Sequence, residues 1–153
     1  LPDKLLQKLR GARNFQSGMQ MVRQLEFALF DFRLHASTTL ISADAILRIL
    51  NDVRQQVAVV TPPPFDRFPH AFSHIFAGGY AAGYYGYLWS EVLSADAYNR
   101  FEQEGVFSAT AGREFLQHVL ETGGVEDPLD VFRAFRGREP SIDAFLRHSG
   151  LNA

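Results

Sequence analysis

Tyr80, Tyr84, Tyr87 and Glu91 recur at i, i+4, i+7 and i+11. At ~100° per residue this spacing keeps them within a ~60° sector of one helix. Three phenols on one stripe, preceded by His74 and by Gly78-Gly79, resemble a wall of a polar binding site, where an ordinary core face would use Leu and Val. Taken alone the stripe suits packing equally well, because a buried tyrosine needs only one partner for its hydroxyl. Tyr85, Leu88, Trp89 and Val92 on the far face read as core. Gly78-Gly79 lies before the helix and can supply positive φ, a tight turn or a hinge, whereas Gly83 and Gly86 suit close approach of a second helix. Glu91 could be a polar site residue, although such a residue more often bonds to a neighbouring helix.

Other residue patterns carry less chemistry. His70 and His74 are four apart, the spacing by which two imidazoles on one helix face bind zinc. Ala71 stands where the H-E-x-x-H motif has its glutamate, Pro69 forces any helix to begin near His70, and no Asp or Glu lies close by. The pair is therefore not read as a metal site. His35, His118 and His148 are isolated and read as surface or packing residues. Ser73 beside His74 does not make a triad, since triad members are neighbours in space and not in sequence. No phosphate-binding glycine loop is present.

The elements that must position the tyrosines are helices. From Asn14 as N-cap a helix is predicted to about Ala36, with Leu25, Phe27, Ala28, Leu29, Phe30, Phe32 and Leu34 covering almost its whole circumference. Arg23, Glu26, Asp31 and Arg33 fall in or beside that apolar run. Buried charges must be paired, so ion pairs are expected there, within this chain or to elements outside it. Ser42 caps a second helix, which faces inward through Ile46, Leu47, Leu50 and Val53 and gives way to an extended Thr61-Pro62-Pro63-Pro64. A long connection follows, with a short helical turn between His70 and Ile75. The tyrosine helix is predicted from Tyr80 to Glu104, stopping at Gly105. Further helices open at Ser108 or Thr110, at Asp127-Pro128 and at Pro140-Ser141, and end near Leu120, at Gly137 and at Gly150. No segment alternates with the period of a strand, so the fold class is all-α, in a single helical domain over residues 1–153.

The chain has 153 residues, a net charge of −2 and no cysteine. It is long enough for one real core. Its charge excludes an electrostatic case for nucleic acid or an anionic membrane. The lack of cysteine rules out disulfides and thiolate chemistry and suits a reducing compartment. No apolar run approaches the ~20 residues of a membrane span. Opening on Leu1-Pro2-Asp3 instead of a methionine leads to the expectation of a piece of a longer polypeptide.

The segment from Phe72 to Glu91 resembles the substrate-binding loop and following helix of the zinc oligopeptidases that include thimet oligopeptidase, oligopeptidase A and peptidyl-dipeptidase. The stretches Asn14 to Gly18 and Gln24 to Asp31 resemble the region upstream of that loop. Gly123-Gly124 and Phe135 to Pro140 resemble its C-terminal end, so the likeness covers essentially the whole chain. The bacterial oligopeptidase A branch is the closer match, because His74 stands six residues before Tyr80.

The resemblance implies the C-terminal segment of a larger, all-helical, clam-like and cytoplasmic zinc metallopeptidase that hydrolyses short peptides. Its zinc would belong to the full-length enzyme, with no metal bound by this chain. The chain lacks H-E-x-x-H, so alone it is predicted to be inactive and to need the missing N-terminal part of the same polypeptide, which would carry the zinc-binding helices. Tyr87 matches a family tyrosine that donates to the oxyanion of the tetrahedral intermediate. His74, Tyr80 and Tyr84 match positions that contact the peptide backbone or help stabilise the transition state. From this Tyr87 and an auxiliary His74 take catalytic roles, and Tyr80 and Tyr84 substrate-binding ones. Gly78-Gly79 matches a flexible loop that closes over substrate. Two alternatives of another class remain: a free-standing helical module that binds peptides or a protein partner without catalysis, and a helical structural domain.

Overall fold

The computed structural model describes residues 1–38 and 42–151. Their regular elements are all helices, with no strand among the described residues. The chain divides into two compact units, Leu1–Leu88 and Trp89–Ala153.

In the first unit, α1 (Asp3–Arg13) buries none of its residues. It is an element the sequence pattern did not announce. Asn14 ends α1 and does not cap the next helix, and Gln16 turns the chain at φ 55°. Then α2 (Ser17–His35) packs on α3 (Ala43–Val57). Ser42 caps α3 as expected, its Oγ accepting the Ala45 N–H at 3.3 Å. Leu50 and Val53 are buried, whereas Leu47 is exposed. The triple proline is non-helical, and the short helix α4 (Phe68–Ala71) and a single 3₁₀ turn (Ser73–Ile75) follow it.

Phe30, Leu34, Leu50, Phe72 and Ile75 form the core of this unit, with Phe27, Phe68 and Tyr84 against it. Its aromatic rings are continuous: Phe27 stacks on Phe68 at 4.9 Å, Phe68 meets Phe72 at 4.8 Å, and Phe72 meets Tyr84 edge-on at 5.1 Å. Such pairs add about 0.5–1.5 kcal/mol each beyond area burial. They tie α2 to the tyrosine segment.

The charges on α2 find partners inside the chain. Arg54 bridges Glu26 and Asp66, at 2.8 Å from each. Arg33 donates to Gln56, and the Arg23 guanidinium lies over the Phe27 ring. The helix is not buried all round, however, because Phe32 is 55% exposed.

The tyrosine helix begins later than its periodicity suggests. α5 spans Gly86–Glu104, and residues 80–85 form successive tight turns. The N–H of Gly83 bonds to the Tyr80 carbonyl, that of Gly86 to Gly83, and that of Tyr87 to Tyr84. Ala82 has φ 55°, a left-handed conformation that interrupts a right-handed helix. Tyr85 and Trp89, read as core, are both about half exposed, and only Val92 of that face is buried.

In the second unit α5 stops at Gly105, φ 106°. Then come α6 (Ala109–Phe115), capped by Ser108 and continued by one wider turn over Leu116–Leu120, α7 (Pro128–Arg136) and α8 (Asp143–His148). Asp127 caps α7 by accepting the Leu129 N–H at 2.9 Å. Gly137 closes that helix in the left-handed region, at φ 71°. Phe101, Phe115 and Phe135 meet in a three-ring cluster with centroids 5.3–6.1 Å apart.

Candidate functional site

The site is built by a loop and a turn. Ser73 starts it: its carbonyl accepts N–H groups from Phe76, Ala77 and Gly78, curling the chain back on itself. A Cβ at position 78 would lie 2.8 Å from both Cα and O of His74, so the close approach requires glycine there. Gly79 then adopts φ 82°, and the N–H of Tyr80 reaches the His74 carbonyl at 3.2 Å. The glycine pair therefore acts as a tight turn that places Tyr80 beside His74.

The structure brings His74, Tyr80, Tyr84 and Tyr87 together, although not as one helical stripe. Tyr80 stacks on Tyr87 with centroids 5.1 Å apart and planes 28° from parallel. Tyr84 meets Tyr87 at 5.1 Å, and His74 lies 6.2 Å from Tyr80. Two residues seven apart on a straight helix are displaced by ~10 Å along its axis. The 80–85 turn closes that gap. Tyr80 and Tyr87 remain 39% and 42% exposed. Glu91 is exposed on α5, but with the helix starting at Gly86 it shares that element with Tyr87 alone.

Each phenol has its own environment. Hydrogen bonding with Tyr80, then burial and the nearby Tyr80 and Tyr84, raise the Tyr87 hydroxyl above the ordinary phenol value. Tyr87 is thus a protonated donor at neutral pH. Burial also raises Tyr84, against a smaller opposing effect of Arg23. Tyr84 donates its proton to Oε1 of Gln24 at 3.1 Å, which leaves its oxygen free to accept.

Two residues of this arrangement were missed in the sequence. Gln24 fixes Tyr84, and Asp31 accepts the backbone N–H groups of Ala82 and Tyr84 at 2.9 Å each. The available signal was an acid inside an apolar helix run. His70 sits on α4 and His74 on the following 3₁₀ turn, so they do not share a helix face. Among the described residues no group of three or more His, Asp or Glu could hold a metal ion. The described residues thus do not make up a zinc site.

The described residues thus gather three phenols and an imidazole, donors and acceptors of hydrogen bonds, at a glycine turn. The whole of residues 1–151 matches the model of peptidase family M3. The chain belongs to that family.

Among curated relatives it is 56% identical to oligopeptidase A of Salmonella typhimurium over 151 residues, covering 99% of this chain. It is 38% identical to dipeptidyl carboxypeptidase of Escherichia coli over 158 residues, and 34% identical to saccharolysin of Saccharomyces cerevisiae over 152, again across 99% of this chain in each case. The chain spans about a fifth of the length of these relatives: 22% of the first two and 21% of saccharolysin. No helix among the described residues is long and apolar enough to cross a membrane.

Proposed function

We propose that this chain is the substrate-contacting, transition-state-stabilising segment of a cytoplasmic, zinc-dependent oligopeptidase that hydrolyses short peptides. The observation that carries the reading is the stacked, half-exposed pair Tyr80–Tyr87 beside His74 and Tyr84, in a chain of the M3 family. The metal would be held by other parts of the full-length polypeptide, where it would polarise a carbonyl or activate water.

The steps assigned to this chain need only its own residues. A peptide enters along the 74–87 surface. Tyr80, and Tyr84 through its free lone pair, hydrogen-bond to the peptide backbone and orient it. The Gly78-Gly79 turn closes over it. As water adds to the scissile carbonyl, negative charge grows on the carbonyl oxygen. Tyr87 Oη–H donates to that oxyanion, and the His74 imidazole is an auxiliary donor. Such donors lower the barrier because they strengthen as the charge develops. The reading of a free-standing binding module without catalysis has no comparable support.

The test is Tyr87→Phe in the full-length enzyme. A fall in kcat of ~10²–10³, with KM little changed, is expected for loss of an oxyanion donor. An unchanged kcat removes Tyr87 from the mechanism. The isolated 153-residue chain is expected neither to bind zinc stoichiometrically nor to cleave peptides, and tight one-to-one zinc binding would contradict this division of labour.

A further inference from the structure

The turn that bears Tyr80 and Tyr84 is held by one buried carboxylate. Asp31, on α2, is 1% exposed. Its Oδ1 accepts the N–H of Ala82, its Oδ2 the N–H of Tyr84, and Oδ1 also lies 2.8 Å from Nδ1 of His35. That nitrogen is 3.0 Å from the Asp31 carbonyl as well, so the imidazole N–H bridges the residue's side chain and backbone. Bonds to an ionised carboxylate are roughly twice as strong as neutral ones.

The residue so held is the strained one. Ala82 at φ 55° sits where an alanine Cβ is disfavoured. In a helix begun at Tyr80, the Tyr84 N–H would bond to the Tyr80 carbonyl; here it goes to Asp31, and the Tyr80 carbonyl takes Gly83 instead. The carboxylate therefore opposes a backward extension of α5, which would draw Tyr80 off the Tyr87 ring.

We propose that Asp31 is a positioning residue for the reaction: by clamping the left-handed Ala82 and the Tyr84 amide it seats Tyr80 against Tyr87 and fixes the direction of the Tyr87 hydroxyl. This rests on the role given to Tyr87 above. Asp31 touches no substrate and acts through the turn.

The experiment uses the full-length enzyme. Asp31→Asn places an amide NH₂ against one of the two backbone donors. It is expected to lower kcat on the order of 10²-fold, the usual consequence of a displacement near 1 Å, with a much smaller change in KM. Adding Ala82→Gly, which adopts positive φ without strain, is expected to restore part of that kcat. A lowered melting temperature with full kcat in Asp31→Asn, or no recovery on adding Ala82→Gly, would overturn the proposal.

Should Asp31→Asn not fold, amide hydrogen exchange in the unaltered enzyme decides. Protection of the Ala82 and Tyr84 amides is expected, and exchange at solvent rates would overturn the clamp. Tyr87→Phe, run in parallel, separates the two readings. A full kcat there defeats the site assignment, and this inference with it. An impaired Tyr87→Phe beside an unimpaired Asp31→Asn defeats the positioning role alone.

Discussion

Each unit of this molecule buries one aspartate almost completely, and the two are used differently. Asp96, on α5 in the second unit, is 0% exposed and meets cations. Arg138 donates to both of its oxygens, Arg136 Nε lies 3.2 Å away, and the Ser141 N–H reaches it at 2.7 Å. Asp31 in the first unit instead holds two loop amides and one histidine. A carboxylate enclosed by guanidiniums pins already rigid elements to one another. A carboxylate that takes backbone donors from a turn dictates the turn's shape, and its influence is felt at the exposed side chains beyond. Both carboxylates are buried, and the type of partner separates the two cases.

The largest effect that would break this contrast is expected from Asp96→Ala. Removing one member of a buried ion pair leaves the other uncompensated, and about 3–5 kcal/mol is expected in denaturant unfolding of the full-length protein, read at the second unit. A loss below 1 kcal/mol would remove Asp96 as a lock. Acid should do the same without mutation. Burial pushes the Asp96 carboxyl up, but hydrogen bonds from Arg138 and Ser141 and the charges of Arg138 and Arg136 outweigh it and hold the group below its usual range. A depressed folded-state value means stability that is present above the unfolded value of ~3.9 and lost as pH falls through the folded one. Unfolding of the second unit is therefore expected only at pH below about 4, and Asp96→Asn should flatten that acid limb.

Gly78→Ala comes next. Its Cβ would meet the His74 backbone at 2.8 Å, so the loop must move, at roughly 1–3 kcal/mol for an overpacked contact. Because the Tyr80 amide is bonded to that same carbonyl, activity of the full-length enzyme should fall by more than the stability change accounts for. Equal changes in melting and activity would mean that the loop is only scaffold. Smallest is Asp127→Ala, a lost helix cap worth about 1 kcal/mol in the melt and nothing in kcat.

Local determinants were legible in the sequence. Ser42, Ser108 and Asp127 cap the helices they were expected to cap, and Gly105 and Gly137 stop theirs, because each acts on atoms within a few residues. The grouping of His74 with the three tyrosines was also legible, but its geometry was not. Helical spacing from Tyr80 to Glu91 is real as a pattern, yet the backbone there obeys Asp31, which lies 51 positions before Ala82 and 53 before Tyr84. No window of local sequence contains that bond. The same distance hid the partners of Glu26 and Arg54, which lie 28 positions apart. The exposure of Trp89 and Tyr85 was illegible for another reason: periodicity gives a face and not what covers it.

The 51-residue separation has a kinetic side. The Ala82 and Tyr84 amides gain their partner only when α2, α3 and the chain between them and Ala82 have closed into a loop, because only then does the carboxylate arrive. Long loops of this kind close late. In refolding followed by pulsed amide labelling, α2 and α3 are expected to gain protection before the Ala82 and Tyr84 amides do. The surface assigned to peptide recognition would then be the last part of its unit to take shape. A nascent chain would carry its tyrosines for some time before they could grip anything.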